Sequence, residues 1–261
     1  MTKPPLLLLH GVTMSGRAWK ELSPSLSERH EVLAPTLRGH RGGVPLERRP
    51  VRIRDLVDDM ERLLDEKGWE TVHLAGNSLG GWIAVELARR GRARTVCALS
   101  PAGFWTAGVA EQTHGTTTLR WLARLASATH RLAPLGLAVP PVRGLVLREV
   151  AQHGERLSRA DATAIVDDLV GCAATMDILA STEEIAPLDP VPCPMTIAWS
   201  EYDRILPLDV NGAIARERVP GARFEVLTGV GHVPMIDDPA RVVRVIEDAT
   251  GVREVSGEPV E

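Results

Sequence analysis

The residues best suited to chemistry lie in the stretch TVHLAGNSLGGW, which runs from Thr71 to Trp82. It contains the pattern G-x-S-x-G, with Ser78 between Gly76 and Gly80, at the point where an apolar strand gives way to an amphipathic helix. A serine on such a sharp turn is exposed and conformationally strained, so the residues two before and two after it must lack bulk. The pattern predicts a nucleophile. The alternative is that Ser78 only caps the helix.

A serine nucleophile needs a base, and the chain has eight histidines. His232 lies in TGVGHVPMIDDP, a loop that follows the last predicted strand and precedes a helix. A loop held by a rigid strand can aim an imidazole and still let it move, so we predict that His232 is the base. We expect a packed side chain at His73, structural roles at His10 and His40, and surface positions for the others, which are His30, His114, His130 and His153.

The base in turn needs an acid that holds its tautomer and stabilises the imidazolium. Two acids follow the predicted strand PMTIAWS, in the segment EYDRILP. We favour Asp203 because Pro207 can start the next helix and fix the loop, and Glu201 remains the alternative. The resulting order Ser, Asp, His along the chain is the one expected for this motif. No acid follows the fourth strand, which ends in LSPAG.

An oxyanion that develops during acyl transfer needs two backbone N–H donors. Leu79, directly after the nucleophile, supplies one donor at the start of a helix, where the helix dipole also favours negative charge. The second is expected from the loop after the first strand, LLLLHGVTMSG, where His10 and Gly11 turn the chain and expose the N–H of Val12. The alternative for Gly11 is a plain turn glycine.

Short apolar runs alternate with helical patterns along the chain, which indicates an α/β fold with a mostly parallel sheet covered by helices on both faces. We predict six buried strands: Leu6–His10, Glu31–Pro35, Thr71–Ala75, Arg94–Leu99, Pro194–Trp199 and Arg223–Leu227. The predicted helices between and after them are Ser15–Ser27, Arg52–Lys67, Gly80–Arg90, Leu208–Arg218 and Pro239–Thr250.

One long interval, residues 102–188, interrupts this alternation. It is helical in pattern, best at Thr117–Arg131 and Ala160–Leu179, and is broken by prolines. We therefore expect residues 1–101 and 189–251 to form the core, 102–188 a helical cap over the active site, and 252–261 a frayed tail. Aromatic side chains expected to line a pocket there are Phe104, Trp105 and Trp121. Five arginines could steer an anionic substrate, or form a solvated helix face: Arg120, Arg124, Arg131, Arg143 and Arg148.

Together these segments resemble the α/β-hydrolase fold family. The matching stretches, in family order, are LLHGVTMSG, LAPTLRGHRGG, LAGNSLGGWIAVELA, LSPAG, EYDRILP and GVGHVPMIDDP. The resemblance implies that Ser78, Asp203 and His232 occupy the triad positions of the family. It also implies that Val12 and Leu79 occupy the oxyanion-hole positions, and that no metal or organic cofactor is needed.

Two departures from the family pattern affect the expected fold. The family sheet has eight strands and begins with a hairpin, whereas only five residues precede Leu6 here. We therefore expect a six-stranded parallel core in which that hairpin is missing or much reduced. The acid loop begins with Ser200 where the family usually has glycine.

Composition narrows the classes of partner. The net charge of −4 gives no reason to expect nucleic acid or an anionic membrane, and no apolar run reaches the length of a membrane span. Three widely spaced cysteines suggest neither a disulfide framework nor a metal site, and the apolar run near the N-terminus is too short for a signal peptide. We expect a cytoplasmic enzyme with a small-molecule acyl substrate, which could form a homodimer.

The expected reaction is hydrolysis of a carboxylic ester or thioester through an acyl-enzyme. Serine at position 78 argues against the dehalogenases and epoxide hydrolases of this fold, which need an aspartate nucleophile there. Asn77 recurs in relatives that cleave carbon–carbon bonds of ring-fission products, and cofactor-free perhydrolases share the same triad. Both remain alternatives, as does a ligand receptor with little turnover.

Overall fold

The structure, a computed structural model, describes residues 2–106 and 110–251. Within these residues the strands are β1 Pro5–Leu9, β2 Glu31–Leu33, β3 Val72–Asn77, β4 Ala93–Leu99, β5 Met195–Ser200 and β6 Arg223–Leu227. The α-helices are α1 Ser23–Ser27, α2 Ile53–Glu66, α3 Leu79–Arg89, α4 Ala110–Thr129, α5 Ala133–Gly136, α6 Pro140–Leu147, α7 Arg159–Gly171, α8 Thr175–Leu179, α9 Ala213–Arg218, α10 Pro234–Asp237 and α11 Pro239–Thr250.

All neighbouring strands of the sheet run parallel, in the order β2-β1-β3-β4-β5-β6. The central strands are almost continuously apolar because helices cover both faces, and Leu6–Leu9 and Val72–Asn77 are buried at every position. The predicted six-stranded α/β sheet is confirmed within the described residues. Because the strands are parallel, their carboxyl ends meet at one edge, where Ser78 and the loops after β1, β5 and β6 converge.

Two apolar clusters lie on opposite faces of the sheet. On one face, α2 and α3 pack through side chains that include Leu56, Leu64 and Ile83. On the other face, α1 and α11 contribute side chains such as Leu26 and Ile246. Burial on both faces makes the sheet a rigid base for the loops at its carboxyl edge.

The interval 102–188 contains α4 to α8 among the described residues. It has a small apolar cluster of its own, in which Leu137 and Leu147 pack against Ala162 and Val166. This interval is therefore mainly helical and has a small core of its own, and its role as a cap stays a prediction. The predicted tail, 252–261, lies outside the described residues.

Some predicted helices differ in detail. Ala160–Leu179 is divided into α7 and α8, because the chain turns at Cys172 into an extended conformation and the N–H of Ala174 donates to the carbonyl of Gly39. A β-carbon on Gly171 would lie 2.7 Å from the side chain of Arg41, so the loop that contains Gly39 and Arg41 packs closely against the end of α7. The helix predicted at Ser15–Ser27 begins as a separate 3-10 turn before α1.

None of the helices in the described residues is both long and apolar enough to cross a bilayer. Within the same residues, no group of three or more histidine, cysteine, aspartate or glutamate side chains is arranged to hold a metal ion.

Candidate active site

Ser78 lies on the sharp turn between β3 and α3 with φ 55° and ψ −116°. Positive φ is uncommon for a residue with a side chain, so the turn is strained. Its neighbours cannot carry a β-carbon: one on Gly76 would lie 2.3 Å from the Gly80 carbonyl, and one on Gly80 would lie 2.1 Å from the Leu9 oxygen. The close backbone approach that the G-x-S-x-G pattern predicts is therefore present on both sides of Ser78.

The Ser78 backbone is held while its hydroxyl is left free. Its N–H donates to the carbonyl of Leu99 at 3.0 Å, and its own carbonyl accepts from Trp82 and Ala102, also at 3.0 Å. Within the described residues the hydroxyl forms no hydrogen bond, and Ser78 lines a cavity that His232 also lines. The turn thus presents an unengaged hydroxyl to the same space as the imidazole.

His232 is hydrogen-bonded to Asp203, with 2.7 Å between Nδ1 and Oδ2. A carboxylate accepts, so this bond places the proton of neutral His232 on Nδ1 and leaves a lone pair on Nε2. Both side chains are almost fully buried. This tautomer is the one that can take a proton from a hydroxyl in the cavity.

The loop after β5 distinguishes the two candidate acids. The second oxygen of Asp203, Oδ1, accepts from the N–H groups of Ile205 and Leu206 at 3.0 and 2.7 Å, which fixes the carboxylate. Glu201 instead accepts from the backbone N–H of Gly229 at 2.8 Å in an exposed position. Of the two acids, the structure brings Asp203 to His232.

Val12 and Leu79, the predicted oxyanion-hole residues, both lie beside the cavity that Ser78 lines. Val12 and Leu79 line one small cavity with Ser78, and neither N–H donates to a protein acceptor among the described residues. The loop after β1 is held in a turn by the bond from Met14 N–H to Gly11 oxygen at 3.2 Å. Two unengaged donors beside a hydroxyl are what a developing oxyanion requires.

The cavity shared by Ser78 and His232 has a volume of about 350 Å³ and an almost wholly apolar lining. Helices α4, α6 and α7 supply much of its wall. Four large apolar residues of its lining are also exposed at the surface, which puts its mouth on the helical interval: Leu125, Leu132, Val142 and Val146.

The five arginines predicted to steer an anionic substrate do not line this cavity in the described part of the chain. Arg143 is buried and donates to the carbonyls of Leu137, Ala138 and Glu155, which makes it a structural residue. Arg120 likewise donates to a backbone carbonyl. The described lining of the cavity therefore contains none of the arginines that the steering hypothesis requires.

The predicted aromatic lining is only partly present. Trp105 lines the small cavity beside Ser78, whereas Phe104 is fully buried in the core and Trp121 is 60% exposed.

Asn77 has a positioning role that the sequence did not indicate. Its side-chain amide donates to the carbonyl of Leu99 at 3.1 Å and to the carbonyl of His232 at 2.9 Å. It therefore ties the residue before the serine to the backbone of the histidine loop. The only signal in the sequence was a polar residue at the end of a buried strand.

Asp237 is a second residue that sequence reasoning missed. Its buried carboxylate accepts three backbone N–H groups, from Gln152 at 2.9 Å, His153 at 2.7 Å and Gly231 at 2.8 Å. It thus joins the histidine loop to the helical interval. The sequence places it five residues after His232, where it passes for an ordinary surface acid.

Replacing Asp237 by alanine should lower the free energy of unfolding by about 3–5 kcal/mol, because three buried N–H groups lose a charged acceptor. Urea denaturation followed by circular dichroism measures this loss. The matched control is Asp238→Ala, since Asp238 accepts one bond, from Arg241 N–H, as a helix cap and should cost only about 1 kcal/mol. Equal losses in both variants would contradict this role for Asp237.

Burial and two hydrogen bonds hold His10 in its neutral form. His10 donates from Nδ1 to the Gly11 carbonyl, and its Nε2 accepts from Leu37 N–H at 3.0 Å, so a second proton has no acceptor. Burial, and then the neighbouring His40, lower the pKa of His10 to about 3. His30, predicted to lie at the surface, is instead buried.

We expect the free energy of unfolding to fall as the pH drops from 7 towards 5. His10 binds a proton near pH 6.5 when unfolded but only near pH 3 when folded, so its contribution is complete above pH 6.5 and is lost as acid protonates the unfolded chain. The contribution of His10 to the free energy of unfolding should fall by about 2 kcal/mol between pH 7 and pH 5. Urea titrations at several pH values should give a shallower dependence of the free energy of unfolding on pH for His10→Asn than for the wild-type protein. An unchanged slope in His10→Asn would contradict the assignment.

Comparisons with known proteins identify relatives over nearly the whole chain. The sequence profile of the Alpha/beta hydrolase family matches residues 6–245. Epoxide hydrolase EphH of Mycobacterium tuberculosis is 35% identical over 195 residues, which are 73% of this chain and 91% of that protein. The pimeloyl-[acyl-carrier protein] methyl ester esterase of Aromatoleum aromaticum is 29% identical over 257 residues, covering 95% of this chain and 98% of the esterase.

A solved structure agrees on the fold. The thermophilic esterase from Thermogutta terrifontis, with malate bound, superposes with a TM-score of 0.71 at 22% identity, over 95% of this chain and 89% of that one. The family profile and the two related enzymes confirm the family resemblance and the hydrolase class, and the solved structure confirms the fold. With a six-stranded parallel sheet, a strained serine turn and a profile match from the first strand to the last helix, the chain belongs to the alpha/beta hydrolase family.

Proposed function

We propose that this protein is a serine hydrolase that cleaves a carboxylic ester or thioester through an acyl-enzyme, with Ser78, His232 and Asp203 as its triad. The observation that carries the proposal is the 2.7 Å bond between His232 Nδ1 and Asp203 Oδ2, which leaves the lone pair on Nε2 of a histidine that lines the same cavity as Ser78. No metal or organic cofactor enters the proposed reaction.

Acylation begins with attack of Ser78 Oγ on the acyl carbon. His232, which lines the same cavity as Ser78, takes the hydroxyl proton on Nε2 as the new C–O bond forms. Asp203 stabilises the imidazolium and keeps its orientation, because its other oxygen is held by two backbone amides.

The carbonyl electron pair moves onto oxygen in the tetrahedral intermediate. The N–H groups of Val12 and Leu79 stabilise that oxyanion, each contributing about 3 kcal/mol. The intermediate then collapses: the bond to the leaving group breaks, and His232 Nε2 donates its proton to the leaving oxygen or sulfur. Water, deprotonated by the same nitrogen, then attacks the acyl carbon. The bond from the acyl carbon to Ser78 Oγ breaks, Nε2 returns its proton to Oγ, and the carboxylic acid leaves.

A serine nucleophile favours acyl transfer over epoxide opening. Opening an epoxide with a carboxylate gives an ester, which water can hydrolyse. Opening it with Ser78 would give an ether, which has no carbonyl for water to attack, and the enzyme would stop after one turnover. The similarity to an epoxide hydrolase therefore supports the fold and the hydrolase class, while Ser78 supports ester chemistry.

The cavity also discriminates among the other candidate reactions. A ring-fission product carries a carboxylate, and the described lining contains no lysine or arginine to receive one, whereas it includes the acid Glu149. A carboxylate buried there would have no cationic partner in the described lining, so a neutral apolar ester fits better. Perhydrolase activity uses the same residues and would be seen as transfer of the acyl group to peroxide.

We further propose that residues 102–188 act as a cap. Helices α4, α6 and α7 supply much of the cavity wall, and the Val233 N–H donates to Val150 oxygen at 2.8 Å, which joins this interval to the histidine loop. A cap attached in this way selects the substrate and limits the entry of water.

The test is pre-steady-state hydrolysis of p-nitrophenyl acetate, followed by peptide mass spectrometry of acid-quenched enzyme. We expect a burst of nitrophenol equal to the enzyme concentration, then steady turnover, with the acetyl group on Ser78. An acetyl group on another residue, or turnover without any covalent intermediate, would contradict the triad. Binding without release of nitrophenol would instead indicate a ligand receptor.

A further inference from the structure

Ser78 lies at the junction of two cavities of very different size. The large one has a volume of about 350 Å³ and the small one about 50 Å³. Val12, Ser78 and Leu119 line both, so these three residues form the boundary between the two spaces. A substrate attached to Ser78 Oγ can therefore place one substituent in each cavity.

The catalytic groups are distributed unequally between the two cavities. His232 lines the large cavity and is absent from the described lining of the small one. Leu79 lines the small cavity and is absent from the described lining of the large one. The proposed base therefore faces one space, and one of the two oxyanion donors faces the other.

Proton transfer from His232 determines which cavity holds the leaving alcohol and which holds the acyl substituent. The tetrahedral carbon carries Ser78 Oγ, the oxyanion, the acyl substituent and the leaving oxygen. His232 Nε2 must release its proton to that leaving oxygen as the carbon–oxygen bond breaks, so the leaving alcohol must lie on the His232 side. The acyl substituent then points away from His232.

We propose, on the basis of the serine-hydrolase function above, that the enzyme acts on short-acyl esters of a large apolar alcohol. The alcohol portion occupies the large cavity beside His232, and the acyl portion occupies the small cavity beside Leu79. At roughly 10–15 Å³ of cavity per water-sized group, the small cavity holds about four non-hydrogen atoms and the large one more than twenty. The acyl group is therefore about acetyl to butyryl in size.

The wall of the small cavity resists expansion. Trp82 and Trp105 contact each other edge to face, with ring centroids 5.3 Å apart, and Trp105 Nε1 donates to the Glu183 carbonyl at 3.0 Å. A β-carbon on Gly103 would lie 2.7 Å from the Trp82 ring, so the indole is also supported from behind by backbone. A longer acyl chain would have to displace this packed pair.

The chemistry of the large cavity specifies an uncharged alcohol. Its described lining is mostly leucine, valine, isoleucine and alanine from the helical interval, such as Leu122, Val146 and Ile165. Glu149 is the acid in that lining and is paired with Arg148. An aliphatic or terpenoid alcohol suits these walls, since burial of its methylene groups stabilises the complex.

Two substrate series test the proposal. In p-nitrophenyl esters of acetate, butyrate, hexanoate and octanoate the leaving group is constant, and kcat/KM should fall about tenfold or more between butyrate and octanoate. Hexyl acetate and ethyl hexanoate are isomers, so they differ only in which side carries the long chain. We expect hexyl acetate to have the higher kcat/KM, by on the order of tenfold.

Matched substitutions in the two cavities test which cavity limits the length of the acyl chain. Ile178 lines the small cavity and Ile165 the large one, so the same substitution can enlarge either. Ile178→Ala should raise the ratio of hexanoate to acetate turnover several-fold, whereas Ile165→Ala should leave that ratio within about twofold. Because both esters are measured on one preparation, the ratio does not depend on the fraction of protein that is folded.

The outcomes separate this proposal from the function on which it rests. If octanoate or ethyl hexanoate is the better substrate in a Ser78-dependent reaction, the assignment of the cavities is wrong and the serine-hydrolase function stands. An equal response of the hexanoate-to-acetate ratio in the two isoleucine variants would overturn it as well. If no ester is turned over and Ser78 is never acylated, the function fails and this proposal falls with it.

Discussion

Replacing Ser78 by alanine should lower kcat for p-nitrophenyl acetate by on the order of 10⁵-fold and abolish the nitrophenol burst. Without the hydroxyl oxygen no acyl-enzyme can form, and only the oxyanion donors and substrate binding still assist direct attack by water. Alanine keeps the β-carbon at the strained turn, where Ser78 has φ 55°, and the hydroxyl makes no hydrogen bond to described residues. The variant should therefore fold with nearly unchanged stability.

Stopped-flow absorbance measures both the burst and the steady rate. The matched control is Ser127→Ala, because Ser127 lies exposed on α4 and its hydroxyl only donates to the Ala123 carbonyl. That variant should retain the full burst and the full rate. A Ser78→Ala protein that kept more than about one hundredth of the wild-type kcat would mean that another group is the nucleophile.

Replacing Asp203 by asparagine should lower kcat about 10⁴-fold near neutral pH. The introduced side-chain amide would present N–H to His232 Nδ1, which favours the tautomer with its proton on Nε2. That tautomer cannot accept the proton of Ser78. The amide oxygen can still accept from Ile205 and Leu206, as Oδ1 does in the wild type, so the loop should keep its shape.

Glu201→Gln is the matched control for this change. Glu201 follows the same strand but bonds to Gly229 N–H in an exposed position, and glutamine can keep that bond. Its kcat should stay within about twofold of wild type, with thermal melts of both variants checking the fold. If Glu201→Gln lost activity and Asp203→Asn did not, the orienting acid would be Glu201.

The positioning of His232 depends on contacts that no local pattern encodes. Asn77 holds the His232 carbonyl, and Asp237 holds the N–H of Gly231, the residue before it. Asn77 is distant from His232 along the chain. Asp237 is close to it, but nothing in the sequence distinguishes it from a surface acid. Replacing Asn77 or Asp237 should lower kcat because the histidine loop moves, although the side chains of the proposed triad are unchanged.

The sequence alone determined the parallel sheet, the serine turn and the histidine loop. The reason is that each depends on short-range rules: continuous apolar runs for strands buried on both faces, and glycines on either side of Ser78. In the structure a β-carbon at Gly76 or Gly80 would come within 2.3 Å of backbone, so the spacing of the motif follows directly from packing.

Tertiary structure alone brought Asp203, and not Glu201, to His232. It also buried His30, bound Arg120 and Arg143 to backbone carbonyls, and divided the space around Ser78 into two cavities. These outcomes depend on the direction in which a loop turns and on contacts between side chains that are far apart along the chain. Asp203 and Glu201 differ by two positions after one strand, and only the backbone bonds at Ile205 and Leu206 turn one of them inward. Local spacing carries no information about such long-range contacts.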